Sequence, residues 1–150
     1  MSRFVDSLGN DVEVPAGAVQ RMSAGSGISH TEGNTADTPN RYLQLWIRPT
    51  VQDVEPRWDW HQFTRADKLN KFCNITQRLP INADARFLAG IFTQDFQYQL
   101  NPLRAYYVYI VTGTGLFDGL EFEEGTGFAI EQESTITIQP ANEAEIILFD

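Results

Sequence analysis

Arg21-Met22-Ser23-Ala24-Gly25-Ser26-Gly27-Ile28-Ser29-His30-Thr31-Glu32 reads as a strand end, a glycine-loosened turn and a second strand. Side chains alternate between the two faces of a strand, so His30 and Glu32 share one face while Ser29 and Thr31 share the other. One imidazole and one carboxylate on a common inward face make half of a mixed histidine/carboxylate metal site. The rest of the chain does not supply the other half in any recognisable pattern. His30 and His61 are its two histidines, Cys73 is its one cysteine, and no His-x-His occurs. The glycines of Gly25-Ser26-Gly27 are not followed by the Lys-Ser/Thr of a phosphate loop or by a helical pattern, so they read as a turn.

The strands around this stretch set the fold class. Gly9-Asn10, between Phe4–Leu8 and Asp11–Val14, signals a two-residue hairpin that pairs Val5 with Val14 and puts Val5, Val12 and Val14 on one face. Ala18–Ser23 and Ile28–Glu32 follow as strands. Arg41–Arg48 alternates cleanly, with Leu43, Leu45 and Ile47 on one face and Tyr42, Gln44 and Trp46 on the other, and predicts a strand paired within a sheet. Pro49–Pro56 has two prolines and no periodicity, which makes it the best domain boundary. Beyond it, Arg57–Phe63 puts Trp58 and Trp60 on one face and Asp59 and His61 on the other. Thr64–Leu69 reads as a short helical turn capped by Thr64. Phe72–Leu79, Ala85–Phe92, Asp95–Leu100, Leu103–Thr112, Ser134–Gln139 and Glu145–Phe149 read as strands, with Asp118-Gly119 as a second hairpin turn. The expectation is an all-β fold, a small antiparallel barrel or sandwich. One complete C-terminal barrel lies over residues 57–150, and residues 1–56 are the remnant of an N-terminal barrel.

Composition narrows the function. The formal net charge of -9 and a pI near 4.6 repel phosphate backbones and anionic lipid surfaces, so neither nucleic acid nor membrane is expected as a partner. Met1–Asp6 has no apolar core of a signal peptide, and no apolar run reaches the roughly 20 residues of a membrane helix. A soluble cytoplasmic protein is the expectation. Cys73 cannot form an internal disulfide and reads as a small apolar filler.

The Ala24-Gly25-x-Gly27-x-x-His30-x-Glu32 run, with Tyr42-Leu43-Gln44-Leu45-Trp46-Ile47-Arg48-Pro49 behind it, resembles the pirin family of two-barrel cupin proteins, also called pirin-like quercetin dioxygenases. Asp6-Ser7-Leu8-Gly9-Asn10, Pro15-Ala16-Gly17, Pro56-Arg57 and Ile147-Leu148-Phe149-Asp150 fit family-like positions as well. In a full family member a His-x-His pair upstream joins the later His and Glu around one metal. This chain starts downstream of that segment, so the resemblance implies metal roles for His30 and Glu32 alone. It also implies that the all-β fold is a cupin-like antiparallel barrel of jelly-roll type, with a second barrel that lacks metal. That agrees with Tyr106-Tyr107-Val108-Tyr109-Ile110-Val111, which falls where a ligand strand would lie and contains no histidine.

Two functions follow as expectations. In the first, the incomplete ligand set makes the chain a small-molecule-binding or regulatory protein, taking a small aromatic ligand or a protein partner. In the second, His30 and Glu32 hold a divalent transition metal (iron, nickel, zinc or manganese) in a site completed by another chain and serve a dioxygenase of the quercetin 2,3-dioxygenase type. A partial barrel exposes strand edges and an apolar inner face, and a homodimer is the expected cover. Other patterns are read more simply. Trp58 and Trp60 pack against a sheet rather than floor a pocket. Asp59 with His61 has the composition of a proton-transfer pair but sits beside no nucleophile. Glu121, Glu123, Glu124, Glu131 and Glu133 are solvated faces.

Overall fold

The first hairpin closes on Asp6. In the computed structural model, which describes residues 1–150, β1 (Ser2–Asp6) pairs antiparallel with β2 (Asp11–Val14). The Asp6 carboxylate accepts from the backbone N–H of Leu8 at 2.9 Å and of Asn10 at 3.0 Å, and from Asn10 Nδ2 at 2.8 Å. These bonds capture Ser7–Asn10 as the loop, in place of the two-residue turn expected at Gly9-Asn10. The register moves accordingly. Phe4 lies opposite Val12 and Val5 opposite Asp11, so Phe4, not Val5, shares the inward face with Val12 and Val14.

β1 also pairs with β4 (His30–Asn34), giving a three-stranded sheet in the order β2-β1-β4. β3 (Ala18–Ser23) pairs with β5 (Arg57–Gln62) as a second, two-stranded sheet. Phe4, Val14 and Trp58 form the buried cluster between these strands, with Val12, Ala18 and Trp60 packed against it. Trp58 and Trp60 thus pack as the alternation predicts. Arg41–Arg48 does not form the expected strand. All eight residues lie outside the sheets and are exposed, with Trp46 at 90%. Alternation sets which faces a segment can present, but a strand also needs a neighbouring edge for its backbone groups, and none is paired here.

Contacts divide the chain into Met1–Phe63 with Arg78–Asp84, and Thr64–Gln77 with Ala85–Asp150. The second unit opens with α1 (Arg65–Lys68), a single turn held by a capping box. The Thr64 side chain accepts from the Asp67 N–H, and the Asp67 carboxylate accepts from the Thr64 N–H at 2.7 Å. The strand expected over Phe72–Leu79 is instead β6 (Cys73–Asn74) followed by the helical turn α2 (Ile75–Arg78). Asn74 Oδ1 accepts from Gln77 N at 3.1 Å and from Thr76 Oγ1 at 2.8 Å, which turns the chain out of the extended form.

The remaining strands are β7 (Phe87–Phe92), β8 (Phe96–Gln99), β9 (Tyr106–Thr112), β10 (Gly115–Phe117), β11 (Leu120–Phe122), β12 (Gly127–Ile130), β13 (Thr135–Pro140) and β14 (Ala144–Phe149). They form two antiparallel sheets, β11-β10-β13-β8 and β12-β9-β14-β7-β6, the antiparallel all-β arrangement that the alternation predicts and of the cupin-like, jelly-roll type that the resemblance implies. Phe117, Ile136 and Ile138 of one sheet meet Val108, Ile110, Ile146 and Leu148 of the other in a single core. Each such fully buried aliphatic side chain contributes about 1.5–3 kcal/mol. The β10–β11 hairpin turns at Asp118-Gly119 with Phe117 opposite Leu120, and both turn residues have positive φ, as a two-residue hairpin demands.

Candidate functional site

Gly25 sets the turn that delivers the two candidate donors. Its φ is 53°, and a Cβ there would lie 1.9 Å from the Val54 carbonyl oxygen, which accepts from Ser26 N at 2.9 Å. Close backbone approach therefore requires glycine, and the run serves as a turn rather than a phosphate cradle. The chain then enters β4, the outer strand of its sheet, where His30 lies opposite Asp6 and Glu32 opposite Phe4. Directly opposed residues project to the same side, so His30 and Glu32 share the face of Phe4. Both donors are exposed.

Each donor rests on a neighbour. The His30 ring stacks on Phe4 with centroids 5.4 Å apart and planes at 21°. Phe4 in turn stacks on Trp58 at 4.3 Å and 5°. Glu32 Oε1 accepts from Gln20 Nε2 at 2.9 Å, and Gln20 Oε1 accepts from Trp58 Nε1 at 3.1 Å. Sequence alone pointed to none of these supports, because residues 4, 20, 32 and 58 are linked only by sheet register. A shallow cleft of about 80 Å³ opens beside Glu32, lined in part by Gln20, Asn40, Arg41 and Tyr42. That is well below the ≈ 300 Å³ at which small-molecule pockets begin.

His30 and Glu32 are the two candidate donors on this face. No group of three or more His, Cys, Asp or Glu side chains comes together anywhere in the chain. A transition ion is normally held by three or four protein ligands, so the residues of this chain fit such an ion as half a site and no more. Three other titratable groups that the sequence singles out, Asp59, His61 and Cys73, sit in structural surroundings. Asp59 pairs with Arg21 across the β3–β5 ladder rather than with His61, whose ring meets Phe63 edge-on at 4.8 Å. Arg21 is buried at 7% exposure, and its Nε and Nη1 have no partner. Burial, and then the neighbouring Arg57, lower its pKa, while Asp59 opposes the shift. Burial likewise pushes the Cys73 thiol up, as does Asp67, which keeps the sulfur in its unreactive form. In β9, Tyr106 is buried and its hydroxyl accepts from Asn101 N at 2.9 Å.

Residues 75–150 match the family described as "Quercetinase C-terminal cupin domain", and residues 2–47 match the family described as "Pirin". A "Pirin-like protein" of Caulobacter vibrioides is 34% identical over 97% of this chain and 66% of its own length. A "Quercetin 2,3-dioxygenase" of Escherichia coli K12 is 31% identical over 97% of this chain and 65% of its own. The crystal structure of the bacterial pirin YhhW from Escherichia coli in complex with nickel(II) superposes with a TM-score of 0.84 at 27% identity, covering 99% of this chain and 67% of that one. The chain spans about two thirds of the length of the curated relatives it matches. No helix is long and apolar enough to cross a membrane.

Proposed function

The chain belongs to the pirin family of cupin proteins, and on that premise we propose that it acts through binding, as a ligand-binding or regulatory member, rather than as an independent dioxygenase. One observation carries this reading: His30 and Glu32 are joined by no third donor from the same chain. A carboxylate and an imidazole alone bind a divalent ion too weakly and leave its geometry too loose for turnover. The partner surface is the first unit. There the outer strands β2 and β4 keep unpaired edges, and Tyr42, Leu45 and Trp46 are exposed on a segment without a ladder. A second copy that covers these edges, giving a homodimer, is the assembly proposed.

A second reading has specific support in the relatives, which include a protein named quercetin 2,3-dioxygenase and a pirin crystallised with nickel(II). In it, His30 and Glu32 contribute two donors to a metal centre whose other donors come from another chain, and the assembled protein is a metal-dependent dioxygenase. Elemental analysis of the chain purified together with any chain it assembles with, before and after chelator, separates the two. The binding reading expects metal far below one per chain and no loss of stability in chelator. Near-stoichiometric metal that vanishes in His30→Ala would overturn it.

A further inference from the structure

We propose that Trp58 is the positioning residue of the His30/Glu32 couple, holding both donors from a single indole through two separate arms. The proposal rests on the second of the two readings above, in which His30 and Glu32 are metal donors.

The first arm is polar. Trp58 Nε1–H donates to Gln20 Oε1 at 3.1 Å, and Gln20 Nε2 donates to Glu32 Oε1 at 2.9 Å. An indole nitrogen can only donate, so it dictates which way the Gln20 amide faces. With its oxygen committed to Trp58, Gln20 must present its NH2 to Glu32. A flipped amide would oppose donor to donor at Trp58 and acceptor to acceptor at Glu32. One carboxylate oxygen is thereby tied down, which orients an otherwise exposed and mobile glutamate.

The second arm is aromatic. The same indole lies parallel to Phe4 at 4.3 Å, and Phe4 carries the His30 ring at 5.4 Å. Trp58 is buried and comes from β5, whereas Phe4, His30 and Glu32 lie on β1 and β4. The indole therefore bridges the two sheets of the first unit and fixes the relative placement of imidazole and carboxylate. None of these residues other than the donors stands out in the sequence as more than core.

The test is a nickel(II) titration of the full chain followed by NMR of the His30 ring, with wild type compared to Trp58→Phe, Gln20→Ala and the double variant. Trp58→Phe keeps an aromatic ring against Phe4 while it removes the indole N–H together with part of the bicyclic ring. Wild type is expected to show weak, saturable broadening of His30 that disappears in Glu32→Ala. Trp58→Phe and Gln20→Ala should each weaken it about tenfold, and the double variant no further, because both act on one hydrogen-bonded chain. Equal affinity in wild type and Trp58→Phe, or additive losses in the double variant, would overturn the positioning role. A wild type that shows no His30 response sinks the donor reading instead. The metal-free spectra then decide the arm itself: Glu32→Ala must move the Gln20 side-chain NH2 and Trp58 indole N–H resonances together, and a stationary indole signal refutes it.

Discussion

Truncating Trp58 to alanine should open the first unit while leaving the second intact. Trp58 is 9% exposed, stacks on Phe4 at 4.3 Å and donates to Gln20. A tryptophan buries roughly 200 Å², which at about 25 cal/mol per Å² is an upper bound near 5 kcal/mol. Measured Trp and Phe truncations in cores cost about 3–5 kcal/mol, in agreement. The cluster it belongs to holds only Phe4 and Val14 as other buried members, so little remains to absorb the loss. The second unit's core draws none of its residues from this cluster. Native-state hydrogen exchange is the assay. At about 1.4 kcal/mol per decade, protection of β1 and β5 amides should fall by roughly 10²- to 10³-fold, with β9 and β14 unchanged. A fall of less than tenfold in β1 and β5 would show that the stack carries little stability. An equal fall in β14 would show that the two cores are not energetically separate.

Three further outcomes follow from particular side chains. Burial pushes the Asp6 carboxyl up, but the hydrogen bonds from Asn10 and Leu8 and the charge of His30 outweigh it and hold the group below the ordinary carboxylate range. A folded-state pKa below the unfolded value adds stability above about pH 3.9 that drains as pH falls through the folded pKa, so protection of the Leu8 and Asn10 amides should collapse only on acidification below about pH 4. The Asp150 side chain is fully buried and accepts from Arg86 Nε at 2.6 Å, with Arg104 Nη2 at 3.6 Å. Arg86→Ala should cost about 2 kcal/mol in urea unfolding of the second unit, a figure below that for breaking a wholly buried pair because Arg86 itself is 45% exposed. Gly25→Ala drives a methyl into the Val54 carbonyl at positive φ, so it should lower the melting temperature and shift the His30 ring resonances; unchanged spectra would refute the close approach.

How far the sequence reached depended on how local the deciding interaction was. Asp118-Gly119, the Thr64 cap and the alternation of Trp58 with Trp60 are settled within a few residues, and each forms where expected. Two errors were also local and carried a signal. Asp6 and Asn10 stand at the spacing of a side-chain-capped loop, and Asn74 stands where it can cap the turn that follows. These short polar side chains prevail over the Gly9-Asn10 turn signal and the alternation of Phe72–Leu79 because they satisfy backbone N–H groups directly. The supports of the donor couple left no such trace. Gln20 meets Trp58 and Glu32 only because two ladders set their registers, and no window of sequence contains all three.

The contrast between β4 and Arg41–Arg48 shows what kind of information is missing. His30–Asn34 contains a glycine and no β-branched or large apolar residue apart from Thr31, yet it is a strand, because β1 offers it an edge from Ser2 to Asp6. Arg41–Arg48 has the better strand composition and remains outside every sheet, exposed along its length. Strand formation is thus decided by the pair, since each strand satisfies half of the other's backbone groups and an isolated strand gains nothing over water. The same rule accounts for the exposure of the donors. β4 has β1 on one side and no neighbour on the other, so His30 and Glu32 lie on the rim of their sheet, backed on one flank by Phe4 and Gln20 and open on the other. The free edge of β4 thus runs beside both side chains, and whatever pairs with that edge also determines what stands next to His30 and Glu32.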